Sequence, residues 1–76
     1  MDTQRLFKSV TLKYNDKIIN LEDDLEKLIN NNDLSLNVKS EMLIDIITKI
    51  NNIEQSLKRF NTFFKKTTEN DNTDNQ

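Results

Sequence analysis

Apolar residues in the second half of the chain recur at alternating intervals of three and four, the spacing of one face of an α-helix. The series continues through three heptads without a break. Its members are Leu43, Ile46, Ile50, Ile53, Leu57, Phe60 and Phe64. This pattern predicts a helix with a single apolar seam over about residues 37–66.

A second series with the same spacing occupies the first half of the chain. Thr11 is its one polar member, and Val10 beside it can substitute as an apolar residue. The series consists of Phe7, Thr11, Tyr14, Ile18, Leu21, Leu25 and Leu28. It predicts another helix, over about residues 3–30.

The segment between the two series, "INNNDLSLNVKS", is rich in asparagine, whose side chain competes for backbone hydrogen bonds and favours turns. We therefore expect a turn over about residues 31–36. Asp33 or Ser35 is the expected N-cap of the second helix, with Leu34 or Leu36 packing back against its first turn.

The last ten residues, "TTENDNTDNQ", contain no apolar side chain and carry three acidic ones. Such a segment cannot bury enough surface to offset the entropy lost on ordering. The sequence therefore predicts one domain over residues 1–66 and a disordered acidic tail over residues 67–76.

Folding the helices back on each other about the turn pairs the two seams layer by layer, and each pair of residue numbers sums to 71. The layers begin with Leu28 opposite Leu43 beside the turn and end with Phe7 opposite Phe64 at the open end. The expected fold is all-α, an antiparallel two-helix coiled-coil hairpin. Two alternatives stay open: each helix pairs only with another chain, or the turn is absorbed into one long helix.

Several apolar residues lie outside the seam, and one helix–helix interface covers too little surface to stabilise a chain of 76 residues comfortably. We therefore expect the hairpin to dimerise into a four-helix bundle or to dock on a helix or groove of another protein. The expected interface residues are Leu12, Ile19, Ile29, Met42, Ile47 and Phe63.

The composition restricts the chemistry further. The chain has no cysteine and no histidine, which excludes disulfides, thiolate and imidazole metal sites, and catalysis by these side chains. We expect no enzyme activity, no catalytic residue, no metal site and no cofactor.

The longest apolar run is far shorter than the roughly 18 residues of a membrane span, and "MDTQRLFKSV" lacks a secretory apolar region. The expected location is intracellular, meaning the cytoplasm, a host cytoplasm or a virion.

Charge is segregated along the chain although the net charge is only −2. Residues 21–55 carry three basic and eight acidic side chains, a net charge of −5, whereas "SLKRFNTFFKK" at residues 56–66 carries four basic ones. In the hairpin most basic residues and all five aromatic residues gather at the open end. A possible patch for an anionic partner consists of Arg5, Lys8, Lys58, Arg59, Lys65 and Lys66.

Three interpretations of this end follow. The phenylalanines can be core residues beside solvated lysines, or the lysines can contact phosphates while Phe63 or Tyr14 stacks on unpaired bases. The basic residues can also contact a membrane surface or an acidic protein surface. Because the sequence has no evident catalytic or metal-binding residues, we first expect the protein to be a small non-enzymatic helical protein–protein interaction module. The alternative is a nucleic-acid-binding hairpin.

The source is indicated only by composition. Glycine, proline and alanine, which have GC-rich codons, are absent, while asparagine, lysine and isoleucine abound. This bias is typical of an AT-rich genome. We therefore expect a structural, assembly or host-protein-inhibiting factor of a phage, virus or mobile element, with an AT-rich bacterium as the next alternative.

Overall fold

The protein forms two long α-helices that are joined by a short turn and pack against each other as a hairpin. The computed structural model describes residues 2–74, with side chains over residues 2–68. Helix α1 spans Thr3–Ile29 and helix α2 spans Leu36–Asp74. Together they make a rod of 62 × 17 × 12 Å. The helical hairpin expected from the two apolar series is confirmed.

Polar side chains hold the turn between the helices. Asn31 Oδ1 accepts the Asp33 backbone N–H at 2.7 Å, and Ser35 Oγ accepts the Val38 N–H at 3.3 Å. The Lys39 ammonium group then donates to the Asn31 carbonyl oxygen at 2.7 Å, where it satisfies a carbonyl left open at the end of α1. Throughout the described residues no φ angle is positive, so a chain without glycine makes this turn without strain.

Both helices begin at a side-chain cap. Asp2 precedes α1 with an extended backbone, and its Oδ1 accepts the Gln4 N–H at 3.0 Å. Of the two residues expected to cap α2, Ser35 takes the role. Leu34 is half-buried beside it, whereas Leu36 is 83% exposed.

The seam between the helices consists of the residues that the heptad spacing selects. All fourteen are at least half-buried, and Leu28, at 6% exposure, is the one buried side chain over residues 2–68. The expected register holds at the open end, where the Phe7 and Phe64 rings lie 5.0 Å apart between centroids. The Tyr14 hydroxyl also hydrogen-bonds the Ser56 hydroxyl across the seam at 2.7 Å.

Four of the five aromatic residues form one cluster at the open end. Phe7 lies 5.7 Å from Phe60 in a stacked arrangement, and Phe60 lies 5.6 Å from Phe64 and 6.3 Å from Tyr14. Each such pair contributes about 0.5–1.5 kcal/mol beyond the area that it buries. These rings are therefore core residues, whereas Phe63 is 70% exposed.

The C-terminal end of α2 differs from the sequence prediction. Helix α2 continues to Asp74, eight residues past its expected end at about residue 66, so the structure has helix where a disordered tail is expected. The hydroxyls of Thr67 and Thr68 donate to the carbonyls of Phe63 and Phe64, and nothing in this segment interrupts a helix already formed. Residues 75 and 76 of the expected tail lie outside the described residues.

The Thr11 hydroxyl is the unfavourable group in the seam, because Oγ1 is buried and has no hydrogen-bond partner among the described residues. We expect Thr11→Val to raise the free energy of unfolding by about 1–2 kcal/mol, since valine keeps the shape and removes the unpaired polar group. Thermal denaturation followed by circular dichroism should show a midpoint higher by about 4–8 °C per kcal/mol.

A matched control for this substitution is Thr48→Val. The Thr48 hydroxyl is exposed and donates to the Ile44 carbonyl at 2.8 Å, so its loss brings no gain from burial. An equal rise in the denaturation midpoint of both variants would mean that valine itself stabilises the helix. That result would contradict the role assigned to the buried Thr11 hydroxyl.

Candidate interaction surfaces

The hairpin has two long sides that flank the seam, and two sets of contacts distinguish them. The Tyr14–Ser56 hydrogen bond marks one side. On the other side, Lys8 of α1 shares a groove with Asn61 and Lys65 of α2. With the seam at heptad positions a and d, Ser56 occupies position g, and the three groove residues occupy positions e and b. The heptad register thereby assigns every flanking residue to one of the two sides.

The side at positions e and b carries five exposed aliphatic residues, and we call it the isoleucine side. Their exposed fractions range from 52% to 67%. They are Leu12, Ile19, Ile29, Ile44 and Ile47. No helix of the hairpin covers them, because both helices already face each other through positions a and d.

The opposite side, the Phe63 side, carries apolar residues at its two ends. Val38 and Met42 lie near the turn, at 47% and 44% exposure. Phe63 lies at the open end, and the register places the half-buried Val10 across from it. An exposed ion pair between Asp45 and Lys49, 3.2 Å apart, separates the two groups along α2. The apolar surface on this side is therefore discontinuous.

The six interface residues expected from the sequence are all exposed, and the structure divides them between the two sides. Leu12, Ile19, Ile29 and Ile47 lie on the isoleucine side. Met42 and Phe63 lie on the Phe63 side. The sequence reasoning also missed Ile44, which is 67% exposed and sits one position from the seam residue Leu43. Its spacing of three from Ile47 was the available signal.

The six basic residues of the expected patch are all exposed, and they too separate into groups. Lys8 and Lys65 flank the groove of about 520 Å³ between the helices, whose lining includes Phe7 and Phe64. Lys58, Arg59 and Lys66 lie around Phe63.

The surface around Phe63 is a shallow groove of about 690 Å³ on α2. Besides Phe63 and the three cations, its lining is polar and comprises Asn52, Gln55, Ser56 and Thr62. An exposed ring beside cations and amide groups has the composition of a surface that binds anions or stacks on bases. Arg5 is exposed on α1 and lines neither this groove nor the one between the helices.

Over the part of the chain that the structure describes, no three acidic residues come together in a way that could hold a metal ion. Neither described helix is long and apolar enough to cross a membrane. Comparison of the chain with family models, curated proteins and solved structures found no match. The two sides of the hairpin are thus the features from which a function can be argued.

Proposed function

We propose that this protein is a non-enzymatic protein–protein interaction module that self-associates, two hairpins forming a four-helix bundle through their isoleucine sides. The observation that carries the proposal is the row of five aliphatic residues that are more than half exposed. A chain with a single buried side chain over residues 2–68 has little core of its own, and a second hairpin would supply the missing cover.

The area of this side suits a dimer. Each of the five side chains exposes about 100 Å² of apolar surface, so their burial in two copies removes about 1,000 Å² from water, the size at which specific interfaces begin. The interface would be aliphatic, in keeping with the core of a helical bundle. The exposed apolar residues of the Phe63 side lie in two separated groups, which is why the isoleucine side is favoured.

The solution mass tests this proposal. Size-exclusion chromatography with light scattering should give twice the chain mass of 9.0 kDa at tens of micromolar, with dissociation on dilution. Detection by refractive index is needed because the chain has one tyrosine and no tryptophan. A stable helical monomer over the whole concentration range would refute self-association.

The proposed biological setting follows from composition. The AT-rich residue usage and the small size support a structural, assembly or host-protein-inhibiting factor of a phage, virus or mobile element. In each of these roles the module acts by contact between polypeptides. None requires a catalytic group.

A second candidate function is nucleic-acid binding at the groove around Phe63, favoured by the 70% exposure of that ring among three cations. It predicts that a labelled single-stranded oligonucleotide binds at low salt and is released as salt is raised. Arg59→Glu with Lys66→Glu should abolish binding, whereas Lys13→Glu with Lys27→Glu, which changes net charge equally, should weaken it only slightly. If both double variants lost oligonucleotide affinity equally, the binding would be nonspecific electrostatic attraction.

A further inference from the structure

Charged residues on the isoleucine side are divided between its two halves. The half toward the open end carries four cations at heptad positions e and b, namely Arg5, Lys8, Lys58 and Lys65, of which Lys58 also borders the groove around Phe63. Glu54 near the middle is the one acidic residue of this half. The half toward the turn carries Glu22 and Glu26 and no cation at these positions. All seven side chains are exposed. The same side is therefore positive at one end and negative at the other.

This division distinguishes the two ways in which identical hairpins can pair. Placed in the same direction, two isoleucine sides bring four cations against four cations and the glutamates against the glutamates. Placed in opposite directions, each positive half meets a negative half. Like charges brought together across an interface are strongly unfavourable, and complementary charges fix the orientation of association.

We infer that the partner of the isoleucine side is a second copy of this chain lying antiparallel to the first, with Lys8 and Lys65 of one copy facing Glu22 and Glu26 of the other. This inference rests on the proposed self-association and adds its direction. The two-fold axis passes near the middle of the side, where Asn15 and Asn51 lie. A two-fold interface of this kind repeats each contact twice, so every favourable charge pair counts double.

The antiparallel arrangement also brings the central part of the aliphatic surface together. Leu12 lies toward the open end, whereas Ile44 and Ile47 lie toward the turn. About this axis, reversal of the partner places Leu12 of one copy near Ile47 of the other, while Ile29 and Ile44 lie opposite the positive half of the partner. In this dimer the two Phe63 grooves lie at opposite ends of the particle.

Charge reversal tests the direction. The first variant carries Lys8→Glu and Lys65→Glu, the second carries Glu22→Lys and Glu26→Lys, and the third combines all four changes. In the antiparallel dimer, either pair alone brings like charges together, and we expect the dissociation constant in about 50 mM salt to rise at least tenfold. The combined variant restores opposite charges and should return to within about threefold of the wild-type constant.

The control for net charge is Lys13→Glu with Lys66→Glu. Both residues are exposed in the same half of the hairpin but away from the isoleucine side, and the variant has the same net charge as the first one. It should dimerise as the wild type does. Sedimentation equilibrium gives all these constants, and circular dichroism verifies that each variant remains helical.

Each outcome bears on one proposal or both. A wild-type dimer whose affinity neither pair of reversals changes would overturn the antiparallel direction and leave self-association standing. Failure of the combined variant to regain affinity would also overturn the direction. A wild-type protein that is monomeric at every concentration would overturn both the direction and the proposed self-association.

Discussion

Replacing Ile19 and Ile47 with asparagine is expected to prevent the proposed dimer from forming and to leave a monomer. Both residues are about half exposed in the hairpin, at 53% and 52%, and both lie near the centre of the isoleucine side. The dimer would bury four such side chains, each contributing about 1.5–3 kcal/mol, and asparagine in their place leaves polar groups without water. The dissociation constant should therefore rise by at least about a thousandfold.

The matched control uses the other side of the same molecule. Met42→Asn with Phe63→Asn makes two exposed apolar residues polar, at positions with 44% and 70% exposure, and should leave the mass at that of a dimer. Light scattering across a dilution series measures both variants. If the control dissociates while the isoleucine variant does not, the Phe63 side is the interface. If the isoleucine variant becomes a monomer that has lost its helicity, hairpin and dimer form as one folding unit.

Leu28→Ala is expected to cost the hairpin most of its stability. Leu28 is 6% exposed, and the neighbouring turn residues Asn31, Leu34 and Lys39 are half-buried around the same end of the seam. Truncation of a buried leucine to alanine costs about 2–5 kcal/mol. A chain of this length has a total stability of only about 4–11 kcal/mol, so the variant should be largely unfolded or melt far below the wild type.

Leu36→Ala makes the same chemical change at a residue that is 83% exposed, and it should alter the free energy of unfolding by no more than about 0.5 kcal/mol. Urea denaturation followed by circular dichroism compares the two variants. If both substitutions lowered the free energy of unfolding by a similar amount, the seam beside the turn would not be the most tightly packed part of the protein.

Spacing alone was enough to predict the seam, because a helix brings residues three and four apart onto one face whatever lies between them. The hairpin buries all fourteen residues selected in this way at least halfway. The cap at Ser35 was harder to predict. Asp33 has an equally suitable side chain, and the choice depends on where the Asn31 side chain closes the turn.

The heptad register places Met42 and Phe63 at one position beside the seam, but the sequence prediction combined them with Leu12, Ile19, Ile29 and Ile47 in a single interface. Met42 and Phe63 each precede a seam residue, whereas Ile29 and Ile47 each follow one, and the contacts across the hairpin show that these positions lie on opposite sides. The end of α2 was also missed. Composition shows that residues 67–74 cannot form a core, but a helix that is already formed can continue through polar residues because each added residue gains a hydrogen bond.

The bond from the Lys39 ammonium group to the Asn31 carbonyl has a consequence for how the chain folds. It connects the end of α1 with the start of α2 across only eight residues, so closing it costs far less chain entropy than bringing Phe7 to Phe64. Folding should begin at the turn and proceed along the seam toward the aromatic end. Unfolding should begin at that end, where amide hydrogens would exchange first. We therefore expect the asparagine turn to form first and to open last.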